Sequence, residues 1–173
     1  MAIRAQPEPR IEVHQFHFVV VAGAAVVALV LQAFLPKYFR WANLLELPLL
    51  VTLYFGLSRR NPSTGLLLGT TIGLLQDSLN YPSPIGLYGI AKTFVGFLAS
   101  SIGARLNVEH PLSRFALAFS FFHVQQFVLA ATKRILLAQS EPYLTVNLLL
   151  ASTANAALAL VLFPLLDRLR KTS

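Results

Sequence analysis

Long runs of apolar residues constrain this chain more than any other feature of its sequence. The clearest run, residues 16–35, contains no charged side chain. A helix needs about 20 mainly apolar residues, at a rise of ~1.5 Å each, to cross the hydrocarbon core of a bilayer. The run is too long for the apolar core of a cleaved signal peptide, so it predicts a retained first membrane helix.

Further apolar segments occupy most of the 173 residues, and the linkers between them are short. Only 12% of the residues are charged and 55% are apolar, which is typical of a membrane domain and excludes a disordered chain. Asn61, before Pro62, is a predicted helix N-cap. We therefore predict an all-α integral membrane protein, a compact bundle of six transmembrane helices. The predicted helices are residues 16–35, 44–57, 63–79, 85–103, 112–131 and 144–166.

The distribution of Lys and Arg predicts the orientation of the bundle, because cytoplasmic loops are enriched in these residues. They are more frequent on the side that carries both termini. We expect a flexible cytoplasmic tail (1–15), a transmembrane domain (16–166) and a basic cytoplasmic tail (167–173). The cations counted on the cytoplasmic side are Arg4, Arg10, Arg59, Arg60, Arg105, Arg114, Arg168, Arg170 and Lys171. Those counted on the outer side are Lys37, Arg40, Lys133 and Arg134.

Three charged residues fall in the outer half of the predicted spans: Glu46, Asp77 and Lys92. Charged groups are costly in lipid, so these should face protein or a wet cavity. Asp77 and Lys92 flank one short turn between antiparallel helices, so we expect them to pair. The pair would be either a partner- or ligand-binding site or a lock that fixes the hairpin. Glu46 would be a third member or a residue at the membrane interface.

Other polar residues in the spans point to packing. His123 has no second metal ligand at a suitable spacing, so we expect it to pack or to form a hydrogen bond. We expect Gln125 and Gln126 to form hydrogen bonds between helices.

Small residues form two seams on the predicted third and fourth helices. Gly65, Gly69 and Gly73 repeat every four residues, which lets another backbone approach closely. Gly86, Gly89 and Gly96 are assigned to the seam on the fourth helix. The seams would serve either for packing inside this domain or for docking a transmembrane helix of another protein.

The sequence offers no constellation typical of an enzyme. It has no cysteine, and we find no Gly-rich phosphate loop, no H-E-x-x-H motif and no G-x-S-x-G elbow. No dense group of acids is suited to magnesium. The net charge of +7 comes from bases between apolar blocks, which points to a membrane and not to nucleic acid. We expect no catalysis, no cofactor and no metal.

The central stretch carries a more specific pattern. Residues 65–98 read GLLLGTTIGLLQDSLNYPSPIGLYGIAKTFVGFL. A glycine-rich helix ends in a G-L-x-x-D step, and after a short turn a K-T pair is followed by a glycine. This resembles the signature region of the bacterial rod shape-determining MreD family. The matching positions are Gly73, Leu74, Asp77, Gly86, Leu87, Lys92, Thr93, Gly96 and Leu98.

The resemblance implies a non-enzymatic inner-membrane component of the cell-elongation machinery, which supports peptidoglycan synthesis. Its partners would be the bitopic protein MreC and, through it, the actin-like MreB filament and the RodA–transpeptidase pair. The resemblance also implies a fold similar to the substrate-binding subunits of energy-coupling factor transporters. A vitamin-binding subunit of such a transporter is therefore the alternative function. Glu46 and Pro48 depart from the family's pattern in the second helix.

Overall fold

The computed structural model describes residues 16–59, 61–80, 84–103, 110–139 and 145–169. All regular structure in these ranges is helical, and a short 3₁₀ helix, Arg40–Leu44, lies between the first two α-helices. This confirms the predicted all-α class with six helices. The helices are α1 Phe18–Tyr38, α2 Leu47–Arg59, α3 Pro62–Leu79, α4 Leu87–Gly103, α5 Pro111–Leu137 and α6 Val146–Asp167.

Three of the helices, α1, α5 and α6, are long and apolar enough to cross a membrane. The sequence predicts that all six helices cross the membrane, and this finding supports three of those six spans. α2 has 13 residues and α4 has 17, while α3 is rich in Gly and Thr. α2 is instead buried by its neighbours almost throughout, from Pro48 to Leu57. It contacts all five other helices and forms the centre of the bundle.

Local signals explain where the helices begin. The Asn61 side chain accepts hydrogen bonds from the backbone N–H groups of Ser63 and Thr64 at the start of α3, which confirms the predicted N-cap. Thr145 caps α6 in the same way. Side-chain acceptors at these positions satisfy N–H groups that have no partner within the helix.

The predicted end of the fifth helix at residue 131 is wrong. α5 continues to Leu137 and ends at Ala138, whose φ is 53°. Lys133 and Arg134 therefore lie in the last turns of α5 and not in the loop after it. Cations are favourable at a helix C-terminus.

The α3–α4 hairpin is the most closely packed part of the fold, and α5 packs against both α4 and α6. α1 packs on α2 and α3 and, within the ranges listed above, makes no contact with α6. An apolar groove therefore opens between α1 and α6, with α2 at its base.

Several predictions concern residues outside the described ranges. These are the N-terminal tail 1–15, part of the short turn between the third and fourth helices (81–83), most of the C-terminal tail, and the cations Arg60 and Arg105.

Candidate functional site

Lys92 lies at the centre of a buried polar cluster. Its side chain is fully buried, and its Nζ donates to Glu46 Oε2 at 3.1 Å and to Gln125 Oε1 at 3.0 Å. The same Nζ lies 4.7 Å from the centroid of the Tyr88 ring, a cation–π contact. One lysine thus joins α4 to α5 and to the segment that leads into α2.

Glu46 is held in place by side chains from two other helices. Its backbone N–H donates to Asn155 Oδ1 of α6 at 2.8 Å, and its Oε1 accepts from Gln76 Nε2 of α3 at 3.2 Å. Its carbonyl accepts the first hydrogen bonds of α2, so Glu46 precedes that helix instead of lying in it. The buried polar cluster, defined as Glu46, Gln76, Lys92, Gln125 and Asn155, therefore connects α2 through α6.

The expected Asp77–Lys92 ion pair is wrong. Asp77 Oδ2 accepts from the backbone N–H groups of Gly86 and Gly89, each at 2.9 Å, and Oδ1 accepts from that of Tyr88 at 3.0 Å. The N–H groups at the start of α4 have no partner within the helix, and a carboxylate is favourable at that end. Asp77 thus joins the end of α3 to the start of α4 through the backbone.

Lys92 does not bond to that carboxylate. It begins the next turn of the helix after Gly89, and its ammonium group meets the carboxylate of Glu46 instead. Glu46 is accordingly the partner of the buried lysine and not an interfacial residue.

Two amide atoms in the cluster lack a hydrogen-bond partner among the described residues: Gln76 Oε1 and Gln125 Nε2. The orientation of both amides follows from their charged partners, because Gln76 must donate to Glu46 and Gln125 must accept from Lys92. A buried group without a partner costs about 1–3 kcal/mol. The cluster therefore has one unused acceptor and one unused donor.

A second ion pair at the opposite end of the bundle was not predicted. Arg114 Nη2 donates to Asp167 Oδ2 at 2.7 Å, and the Tyr54 hydroxyl donates to Asp167 Oδ1 at 2.6 Å. The three residues join α5, α6 and α2. The sequence does contain a signal for this pair. Asp167 is a lone acid at the end of the sixth apolar segment, and Arg114 is a lone base at the start of the fifth, where the charge count treats it as a loop cation.

The predictions for His123 and Gln125 are confirmed. The His123 ring contacts Phe119 edge-on, with the ring centroids 4.7 Å apart. Gln125 forms its hydrogen bond between helices through Lys92.

The glycine seams of α3 and α4 face each other. A Cβ atom at Gly69 would overlap with the carbonyl of Lys92, and one at Gly73 would overlap with that of Tyr88. In the same way, a Cβ atom at Gly65 would overlap with the carbonyl of Gly96, and one at Gly96 would overlap with the carbonyl of Gly65. These glycines thus lie where α3 and α4 pack against each other, which favours packing inside this domain over docking of a helix of another protein.

Gly86 does not belong to the seam. A Cβ atom there would have no neighbour within 4 Å, but its φ of +110° is strained for other residues. That conformation allows its N–H to reach Asp77. Gly89 does lie at the contact, where a Cβ atom would come within 2.8 Å of the side-chain end of Leu74.

The groove between α1 and α6 has a volume of about 410 Å³. A Cβ atom on Gly23, which lies in its wall, would have no neighbour within 4 Å, so no contact in the described structure requires a glycine there. The lining is almost entirely apolar. Its residues are Val20, Gly23, Ala24, Val27, Ala28 and Leu31 of α1, Leu47 and Val51 of α2, and Leu162, Leu165, Leu166 and Leu169 at α6.

The buried ionisable groups connect the helices. In the part of the chain that the structure describes, no three His, Asp or Glu side chains come together to hold a metal ion. The charged side chains that are buried bond to one another, to amides or to backbone groups. The groove and the cluster thus offer an apolar surface for an apolar partner and a polar interior that connects the helices.

These features define a helical membrane protein with a buried charge network and an open apolar groove. A family model described as rod shape-determining protein MreD matches residues 13–172, nearly the whole chain. The chain belongs to the MreD family. Members of this family are membrane proteins of the rod-shape complex, which determines cell shape, and the family is not a known enzyme family. No curated protein and no solved structure gives a significant match.

Proposed function

We propose that this protein is a non-enzymatic membrane scaffold of the bacterial cell-elongation complex. It binds the single transmembrane helix of an MreC-type partner and, through that partner, supports the MreB filament and the RodA–transpeptidase pair during peptidoglycan synthesis. The observation that carries the proposal is the family match over nearly the whole chain.

The groove between α1 and α6 is the proposed seat of the partner helix. Both walls are helices long and apolar enough to cross a membrane, so a third spanning helix can run alongside them. Without a hydrophobic driving force in lipid, helices associate through close packing at small residues. Gly23 and Ala24 supply such a surface on α1, and Gly23 has space above it.

The protein is proposed to be a multi-pass protein of the cytoplasmic membrane with both termini in the cytoplasm. The count of Lys and Arg along the whole sequence supports this orientation, with nine on the side of the termini and four on the other side.

Capture in intact membranes tests this function. The tagged chain is expressed at low level in a rod-shaped bacterium, cross-linked and purified, and the co-purifying proteins are identified. We expect an MreC-type protein and the elongation synthase. Gly23→Leu, which fills the groove, should reduce capture of the MreC-type protein at least tenfold. Val26→Leu is the matched control, because Val26 lies on α1, is exposed and lines no part of the groove.

The second candidate is a substrate-binding subunit of a vitamin transporter of the energy-coupling factor type. The observation that favours it is the unused acceptor and donor of Gln76 and Gln125 beside a buried ion pair, which a polar ligand could engage. Recovery of a transporter's coupling subunit and ATPases, without an MreC-type protein, would support this candidate and contradict the scaffold.

A further inference from the structure

Exposed aromatic and basic residues are concentrated where α1 ends and the 3₁₀ helix begins. We call Lys37, Tyr38, Phe39, Arg40 and Trp41 the interfacial lip. Tyr38 is 78% exposed, Trp41 59% and Phe39 51%. The rings of Phe39 and Trp41 contact each other, with their centroids 5.9 Å apart. Three neighbouring aromatic side chains thus point away from the bundle.

The segment that follows the lip is held firmly from both sides. From α1, Gln32 Nε2 donates to the Leu45 carbonyl at 2.9 Å, and Gln32 Oε1 accepts from the Leu47 N–H at 3.0 Å. From α6, Asn155 Nδ2 donates to the Leu44 carbonyl at 2.7 Å. The exposure of the aromatic rings is therefore imposed by a fixed backbone.

The lip carries two basic side chains, Lys37 and Arg40. Lys37 and Arg40 are exposed, and neither forms an ion pair within the described ranges. Lys37 Nζ lies 4.8 Å from the centroid of the Phe34 ring. Among the described residues, the acids towards this end of the bundle are Glu46 and Asp77, which are buried and bonded elsewhere.

The position of the lip matches the edge of a bilayer. α1 has 21 residues and is roughly 30 Å long, which is about the thickness of the hydrocarbon core. The lip begins at its last turn, where the core ends and the headgroups begin. Trp and Tyr are enriched at this depth, and Lys and Arg there are attracted to anionic lipid.

We propose that the interfacial lip binds the headgroups of anionic phospholipids. Lys37 and Arg40 contact the phosphodiester and the rings of Tyr38 and Trp41 lie among the headgroups, so the lip fixes the depth of α1 and of the segment that carries Glu46. This site is separate from the groove, and its test is independent of the partner.

The sequence provides a built-in probe, because Trp41 is the single tryptophan of the chain. The full chain in mild detergent is titrated with short-chain phosphatidylglycerol, with short-chain phosphatidylcholine and with inorganic phosphate, and Trp41 emission is recorded. We expect a saturable change with phosphatidylglycerol alone. Equal responses to the two lipids would overturn the proposal, and so would the same response to inorganic phosphate, because that would indicate a site for a free anion.

Variants locate the site. Each basic residue near an anionic surface strengthens binding roughly fivefold, so Lys37→Gln with Arg40→Gln should raise the apparent Kd at least tenfold. Arg59→Gln with Arg168→Gln removes two cations at the other end of the bundle and should change it less than twofold. Lys37→Arg with Arg40→Lys keeps the charge and should retain binding, which separates loss of charge from misfolding. Equal effects of the two neutralised pairs would contradict a site at the lip.

Discussion

Glycine residues in two regions of this protein differ in the space that surrounds them. In the α3–α4 hairpin, Gly69 lies directly against the backbone of Lys92, and no side chain fits there. In the groove, Gly23 of α1 has open space where a side chain would be. The comparison shows that glycine spacing identifies a close approach but not which chain makes it. The regular seam packs inside the domain, and the isolated glycine has open space beside it.

The two regions also differ in what holds them. Asp77 joins the two helices of the hairpin, and the buried polar cluster links the hairpin to the rest of the bundle; all of these side chains are buried. The groove is lined almost entirely by apolar side chains. Changes in the hairpin should therefore lower stability, and changes in the groove should alter association.

The largest loss of stability is expected from Lys92→Met. It leaves the Glu46 carboxylate buried without its cation, and breaking a buried pair costs about 3–5 kcal/mol. The measurement is the free energy of unfolding in detergent. Combining it with Glu46→Gln should recover much of the loss, because the uncompensated charge is removed. Strictly additive losses in the double variant would show that the two residues do not interact.

Asp77→Ala should be the next most harmful. It leaves the N–H groups of Gly86, Tyr88 and Gly89 without an acceptor. An unsatisfied buried donor costs about 1–3 kcal/mol. Because these donors lie close to the turn, where water can reach them, we expect the free energy of unfolding to fall by about 2–3 kcal/mol in total. Hydrogen exchange by mass spectrometry should show faster exchange at the start of α4. Protection there equal to that of the unaltered protein would contradict the role assigned to Asp77.

Gly69→Ala should destabilise the hairpin by about 1–3 kcal/mol, because the added methyl group forces two backbones apart. Thermal unfolding in detergent measures the effect. Gly86→Ala is a comparison variant that should also lower stability, but for a different reason. Its added methyl group meets no neighbour, and the cost comes from the backbone φ of +110°. Unchanged stability of Gly69→Ala would mean that α3 and α4 pack less closely than described.

Gly23→Ala should have the smallest effect on stability and the opposite sign. Alanine favours a helix over glycine by about 0.5–1 kcal/mol, and no neighbour opposes the methyl group. The same unfolding assay applied to Gly23→Ala and Gly69→Ala gives a matched pair. Destabilisation by both would remove the contrast between the two regions.

The sequence predicted those features that depend on local pattern. The six helices, the Asn61 cap and the seams at Gly65, Gly69 and Gly73 follow from spacing along one segment. The sequence offered Glu46 only as a possible third member of the Asp77–Lys92 group, because Glu46 is 46 residues from Lys92 and meets it only once α2 packs against α4. Spacing suggested Asp77 instead, whose oxygens are occupied by backbone groups.

The Arg114–Asp167 pair and the groove were missed for a related reason. Both depend on how distant segments come together: the pair spans 53 residues, and the groove exists because α1 and α6 do not contact each other. A one-dimensional pattern gives the apolar residues of a helix, but in a membrane both lipid-facing and protein-facing sides are apolar. The pattern therefore does not identify the face left for a partner.

The central claim is that the groove receives a transmembrane helix, and site-specific photo-cross-linking tests it most directly. Val27 and Val26 are adjacent and almost equally exposed, at 58% and 55%, but only Val27 lines the groove. With a photoreactive residue at either position in living rod-shaped cells, the account predicts a cross-link to an MreC-type protein from position 27 and not from 26. Equal cross-linking from both positions, or cross-linking from 26 alone, would contradict it.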